Sequence, residues 1–232
     1  MAVRDPSRKF DGVLSPRTEK VAKIVSLVGT PPFLSIPVFL LICLYQTYDT
    51  GEFLKFFGIS FFAATVLPIV NIMYFSRRTG NEDKLDVVNK DDRLMPLVCG
   101  VLGYMLGTAL LYYFQAPKLA TVLMFCYMMV TFVFMLITPY WKISVHSCGV
   151  IGPSMAMTYA FWPFGALYFI LLFPVAWSRY VLRKHTPLQL VMGAMVGYMI
   201  TAVIFSAFLW NSGPLVVMPH LVLDCTFWFS ML

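Results

Sequence analysis

Residues 118–138 read KLATVLMFCYMMVTFVFMLIT. Its one charge, Lys118, stands at the edge, and the rest is apolar or hydroxyl-bearing. At about 1.5 Å of rise per residue, a helix of this length covers the roughly 30 Å hydrocarbon core of a bilayer. Inside that core each backbone N–H and C=O must find a partner within the segment, so the run reads as an α-helix. Working outward, comparable runs lie at 31–48, 53–76, 94–115, 144–161, 163–182 and 186–210. The expected fold is therefore an all-α, polytopic integral membrane helical bundle of about seven transmembrane helices. Composition points the same way. The chain is 59% hydrophobic and 12% charged, with a mean hydropathy of +0.78, which excludes an ordinary soluble domain.

Three regions follow. Residues 1–29 predict a polar arm ending in a short amphipathic helix, about 17–28, that lies on the membrane surface. Residues 30–210 predict the transmembrane bundle. Residues 211–232 form an apolar tail, interrupted by Gly213, Pro214 and Pro219, that reads as buried or interfacial. The first 29 residues carry charge and proline without an apolar core, unlike a secretory signal. Cys43, Cys99, Cys126, Cys148 and Cys225 are scattered through apolar segments without metal or disulfide spacing, so they read as packing residues.

The net charge of +6 sits in segments between the apolar runs. That distribution points to a membrane and not to nucleic acid. Of the 17 lysines and arginines, only Lys55 and Lys118 fall on the side opposite the N-terminus. The excess of positive charge places the N-terminus in the cytoplasm. The segments 77–93, 139–146 and 178–185 then share that cytoplasmic face.

Two of the three histidines stand on it, each at the start of an apolar run. One lies in Lys142-Ile-Ser144-Val-His146-Ser147. The other lies in Ser178-Arg179-Tyr-Val-Leu-Arg183-Lys184-His185-Thr186-Pro187-Leu-Gln189. Thr186 suits a helix N-cap and Pro187 the first turn. Gln189, four residues after His185, shares its helical face and reaches the ring. Helix N-termini carry free N–H groups and the positive end of the dipole, and arginine adds bidentate donors, so the arrangement predicts a phosphate site. His220 has no such neighbours and reads as an interfacial polar residue.

The run Ser178-Arg179, His185, Gln189, Gly193 resembles the third signature of the type 2 phosphatidic acid phosphatase superfamily. Ile143-Ser144-Val145-His146 is similar to its second signature, and Arg93-Leu-Met-Pro96 to the end of its first. The similarity covers about residues 84–200. It implies a lipid phosphate or polyprenyl diphosphate phosphatase, working through a phosphohistidine without metal or cofactor. By that resemblance His185 is the nucleophile, His146 the general acid and base, and Gln189 the residue that orients His185. Arg179, Arg93, Ser144, Lys142 and Lys90 bind phosphate. The chain departs from the pattern at Gln189, where Asp is usual, at Val145 for Gly, and at Asp86 for Lys; the last leaves Lys90 or Lys84 as the nearby cation. The expected partner is a membrane lipid substrate.

Two other readings compete. Asn81-Glu-Asp83, Asp86 and Asp91-Asp92 resemble the first aspartate-rich motif of UbiA-type prenyltransferases, but no acidic residue follows between 93 and 223. The alternative is a catalytically degenerate family member serving as a lipid-binding or structural subunit of a membrane complex. The pairs Gly103/Gly107 and Gly193/Gly197 suit close helix approach, either within the bundle or to a second copy or partner.

Overall fold

The structure is a computed structural model and describes residues 15–78 and 93–209. The arm before residue 15, the segment with Lys84, Asp86 and Lys90, and the tail with His220 and Cys225 lie outside the described residues.

All regular structure among the described residues is helical. Helix α1 (Pro16–Val28) is capped by Ser15, whose hydroxyl accepts from the Thr18 N–H at 3.2 Å. Pro31 then opens α2 (Pro31–Gln46), which meets α1 at a bend of 49°. The break falls at Gly29, where a Cβ would collide with Val175, so a glycine lets the chain turn against a neighbouring helix. Next come α3 (Thr50–Phe61), a π-helical turn (Phe62–Val66) and α4 (Leu67–Arg78), which run on as one rod. The π turn inserts a residue and presents Ala63, Ala64 and Thr65 to the core. There the Ser35 and Thr65 hydroxyls meet at 3.0 Å, and Thr65 donates to the Pro32 carbonyl at 3.0 Å. These hydroxyls tie the first turn of α2 to the π turn.

Helices α5 (Leu94–Tyr113) and α6 (Lys118–Ile137) form a tight antiparallel hairpin, turned by Gln115 in the left-handed region at φ 57. Then follow α7 (Val145–Phe161), a 3-10 segment (Phe164–Leu171), α8 (Leu172–Val181) and α9 (Pro187–Leu209). The 3-10 segment is pinned to α2 by Tyr168, whose hydroxyl donates to the Leu34 carbonyl at 2.9 Å. Phe39, Leu119, Leu123 and Met124 fill the main core. Large apolar side chains such as Leu102, Tyr112, Phe173, Met199 and Val203 face outward, which suits a lipid solvent better than water.

Both glycine pairs are used inside the chain. A Cβ on Gly107 would lie 2.6 Å from the Ala63 Cβ and 3.3 Å from the Met124 sulfur. One on Gly197 would lie 2.6 Å from the Cys148 sulfur, and one on Gly193 would strike the Ser144 carbonyl. Small residues let helix backbones approach where lipid supplies no hydrophobic drive for association.

Each predicted run is helical, with corrected limits. The run expected at 31–48 ends at Gln46, and the one at 53–76 spans Thr50–Arg78 with the π turn inside it. Five of the helical stretches are long and apolar enough to cross a membrane, and the bent α1–α2 pair makes up to six. Helix α7 has 17 residues, with Pro153 inside it, and is not among those stretches. The structure thus supports five or six spans where the sequence led us to expect seven.

Gly107 makes a direct test of this packing. Gly107→Val is expected to lower stability by about 1–3 kcal/mol through overpacking against Ala63. The thermal unfolding midpoint in detergent reads this, and an unchanged midpoint would mean that the π turn is not seated on α5.

Candidate functional site

Four helices begin around one cavity. Thr30 and Pro31 open α2, Arg93 precedes α5, Val145 and His146 open α7, and His185 stands just before Thr186 at the head of α9; all of these except Thr186 line the cavity. Its volume is about 130 Å³. A helix start carries a partial positive charge and, where proline does not remove them as Pro31, Pro32 and Pro187 do here, N–H groups without an intrahelical partner, so four starts around one space favour an anion there.

The start of α9 is built by a reciprocal cap. The Gln189 N–H donates to the Thr186 hydroxyl at 3.3 Å, and the Thr186 N–H donates to Gln189 Oε1 at 3.1 Å. The same Oε1 lies 3.2 Å from His185 Nδ1. An amide oxygen only accepts, so Nδ1 carries the proton and the lone pair is on Nε2. The preceding turn is closed by Arg183 at φ 56, with the Lys184 N–H donating to the Arg179 carbonyl at 3.0 Å and the His185 N–H to the same carbonyl at 3.4 Å. His185 is therefore tied by its side chain to Gln189 and by its backbone to Arg179.

Ser144 caps α7, its hydroxyl accepting from the Ser147 N–H at 3.3 Å and from the Ser147 hydroxyl at 3.2 Å. The Ser144 N–H donates to the Gln189 carbonyl at 3.3 Å, which joins the start of α7 to the first turn of α9. This close approach is what Gly193 permits. It brings His146, the second residue of α7, and His185 to the same cavity.

The basic side chains are buried. Arg93 is 8% exposed, Arg179 2%, His146 7% and His185 2%. Arg93 Nη1 donates to the Ile143 carbonyl at 3.4 Å. Burial pushes the His185 imidazole down to about 2, and the positive charges of Arg179, Arg93, Lys142 and His146 add to the effect. The ring is neutral at any physiological pH, with a free lone pair in a field of positive charge.

The predicted residues thus divide. His146, His185 and Arg93 face the cavity together, with Gln189 behind His185 and Lys142 close enough to act on its charge. Arg179 is not on the cavity wall; its Nη1 donates to the Ser26 hydroxyl of α1 at 2.9 Å, behind His185. Ser144 is wholly buried and its hydroxyl serves the α7 cap. Lys90 lies outside the described residues. Sequence reasoning missed Ser26, the α2 start and Asn71. Asn71 lines the cavity and donates to the Pro96 carbonyl at 2.7 Å, fastening α4 to α5 beside Arg93. An amide inside an apolar run was the available signal for Asn71; Ser26 had none.

A second cavity of about 60 Å³ adjoins the first, sharing Pro31, Tyr104, Thr131 and Val145 as wall. It runs further into the bundle, past Gly152 to Tyr127 and Thr201. The Tyr127 hydroxyl and Thr201 Oγ1 are buried there without a hydrogen-bond partner among the described residues.

A neutral buried histidine couples stability to pH. The unfolded ring takes a proton below about 6.5 while the folded one does not, so its contribution is complete above that pH and declines as pH falls from there towards 2. The loss is expected to approach about 1.4 kcal/mol per pH unit in that window. Unfolding midpoints of the wild type and of His185→Gln across pH 4–8 check this, since the variant loses that slope; parallel profiles would contradict it. No family model, curated protein or solved structure matches the chain.

Proposed function

We propose that this protein is an integral membrane phosphatase, hydrolysing a lipid phosphate or polyprenyl diphosphate through a phosphohistidine at His185. The observation that carries the reading is the neutral, oriented His185 facing His146 and Arg93 across a cavity ringed by four helix starts. In this reading the bundle crosses the membrane seven times, α7 included, with the N-terminus and the site at the cytoplasmic face. The resemblance of residues 84–200 to the type 2 phosphatidic acid phosphatases supports it.

The chemistry follows from the geometry. His185 Nε2 attacks phosphorus with its lone pair, and the bond from phosphorus to the lipid oxygen breaks. His146, as the imidazolium, gives its proton to that oxygen. It then takes a proton from water, whose oxygen attacks the phosphohistidine, releases phosphate and returns His185 to its neutral form. Arg93, Lys142 and the helix starts hold the phosphoryl oxygens, with Lys90 as a further candidate. Gln189 keeps the proton on Nδ1, and its amide supports the ring without adding negative charge. The inner cavity extends from the site into the bundle, which suits the first part of a lipid chain.

One observation favours a second reading. Arg179 and Ser144, expected on phosphate, are engaged with Ser26 and with the α7 cap. On that reading the site binds a phosphorylated headgroup without cleaving it.

Phosphate release from lipid phosphates and diphosphates by the purified protein distinguishes the two. The wild type is expected to turn over, and His185→Ala to lose activity by roughly 10³-fold or more, together with the acid-labile phosphoprotein. Tight headgroup binding with no release from any such lipid would establish the binding reading instead.

A further inference from the structure

Helix α1 has two unlike faces. Ala22 and Ser26 are buried, while Val21, Ile24, Leu27 and Val28 are all exposed. The i, i+3, i+7 spacing of Val21, Ile24 and Val28 gathers them into one stripe. Basic residues border it: Arg17 and Lys20 are exposed, and Lys23 pairs with Glu19 at 2.7 Å. An uncovered apolar stripe flanked by cations is the pattern of a helix that lies in the headgroup layer of an anionic bilayer.

The inner face leads to the site. Ser26 accepts from Arg179 Nη1 at 2.9 Å, and the Arg179 carbonyl accepts from the His185 N–H at 3.4 Å. At the end of α1, Gly29 is pressed against Val175 of α8, the helix that carries Arg179. One turn of chain later, Thr30 and Pro31 form part of the cavity wall. A shift of α1 therefore bears on Arg179, the His185 turn and the cavity wall at Thr30 and Pro31 together.

We propose that the outer face of α1 binds an anionic lipid surface, and that this seating holds Arg179 through Ser26 so that the cavity binds phosphate tightly. The proposal rests on the anion site of the functional reading and adds its regulation. Ser26 is a positioning residue on this account, since it touches Arg179 and not the cavity. Docked α1 keeps the arginine charge close behind His185; undocked α1 releases it.

The test measures the affinity of the full-length protein for inorganic phosphate, in nanodiscs of phosphatidylcholine alone or with phosphatidylglycerol added. The wild type is expected to bind phosphate about tenfold more tightly in the anionic discs. Arg17→Glu with Lys20→Glu should bind equally in both, at the weaker affinity. Ser26→Ala should also lose the gain and Ser26→Thr, which keeps the hydroxyl, should restore it. Docking of α1 is read separately, from quenching by brominated phosphatidylglycerol of a fluorophore at Ile24→Cys, with Cys99→Ser and Cys225→Ser. In Ser26→Ala the quenching should persist while the gain in affinity is lost. Equal wild-type affinity in the two discs, or a gain that survives Ser26→Ala, would overturn the proposal. Absence of phosphate binding in both discs would overturn the anion site itself. A lipid-dependent gain without phosphate release from any lipid phosphate would support the coupling and reject the catalytic reading.

Discussion

The backbone hydrogen bond from the Ser144 N–H to the Gln189 carbonyl is the point from which the site is assembled. It ties the start of α7 to the first turn of α9, and it forms only because Gly193 has no side chain to separate them. Helix ends carry unpaired polar groups, and burying several together is costly unless each is satisfied. Here Ser144 caps one helix, Thr186 and Gln189 cap the other, and the two caps are bonded to each other. With that joint made, His146 and His185 have little freedom but to face the same space.

Electrostatics gives this space its character. Four helix starts and the buried cations Arg93 and Arg179 concentrate positive potential at a cavity whose wall, among the described residues, carries no acidic side chain. His185 responds by staying neutral. A phosphate group entering the cavity would be drawn by that potential. This is why the arrangement is read as an anion site first and as a catalytic one second: the field follows from the fold, whereas turnover also needs His146 to exchange protons at the right moment.

Some of this was legible from local sequence. The spacing of His185, Thr186 and Gln189 was enough to place a cap and a ring contact, because both depend on residues within one helical turn. The apolar runs located the helices to within a few residues. The π turn at Phe62–Val66 was not legible, since it depends on Ser35 and Pro32 across the interface with α2. Nor was the division of labour among the arginines. Arg93 and Arg179 look alike in sequence as cations at membrane boundaries, yet one lines the cavity and the other reaches behind it to α1.

The sequence by itself determined that the chain is helical and membrane-compatible, where its helices start, and which histidine has an amide partner. These properties arise from hydropathy and from neighbours about four residues apart. Only the tertiary structure decided that the α1–α4 half of the chain supplies much of the cavity wall, that both glycine pairs are filled by the chain's own helices, and that Arg179 answers to Ser26. The Arg179–Ser26 contact spans 153 residues of sequence. No local pattern encodes a contact of that kind, because it depends on how whole helices settle against one another.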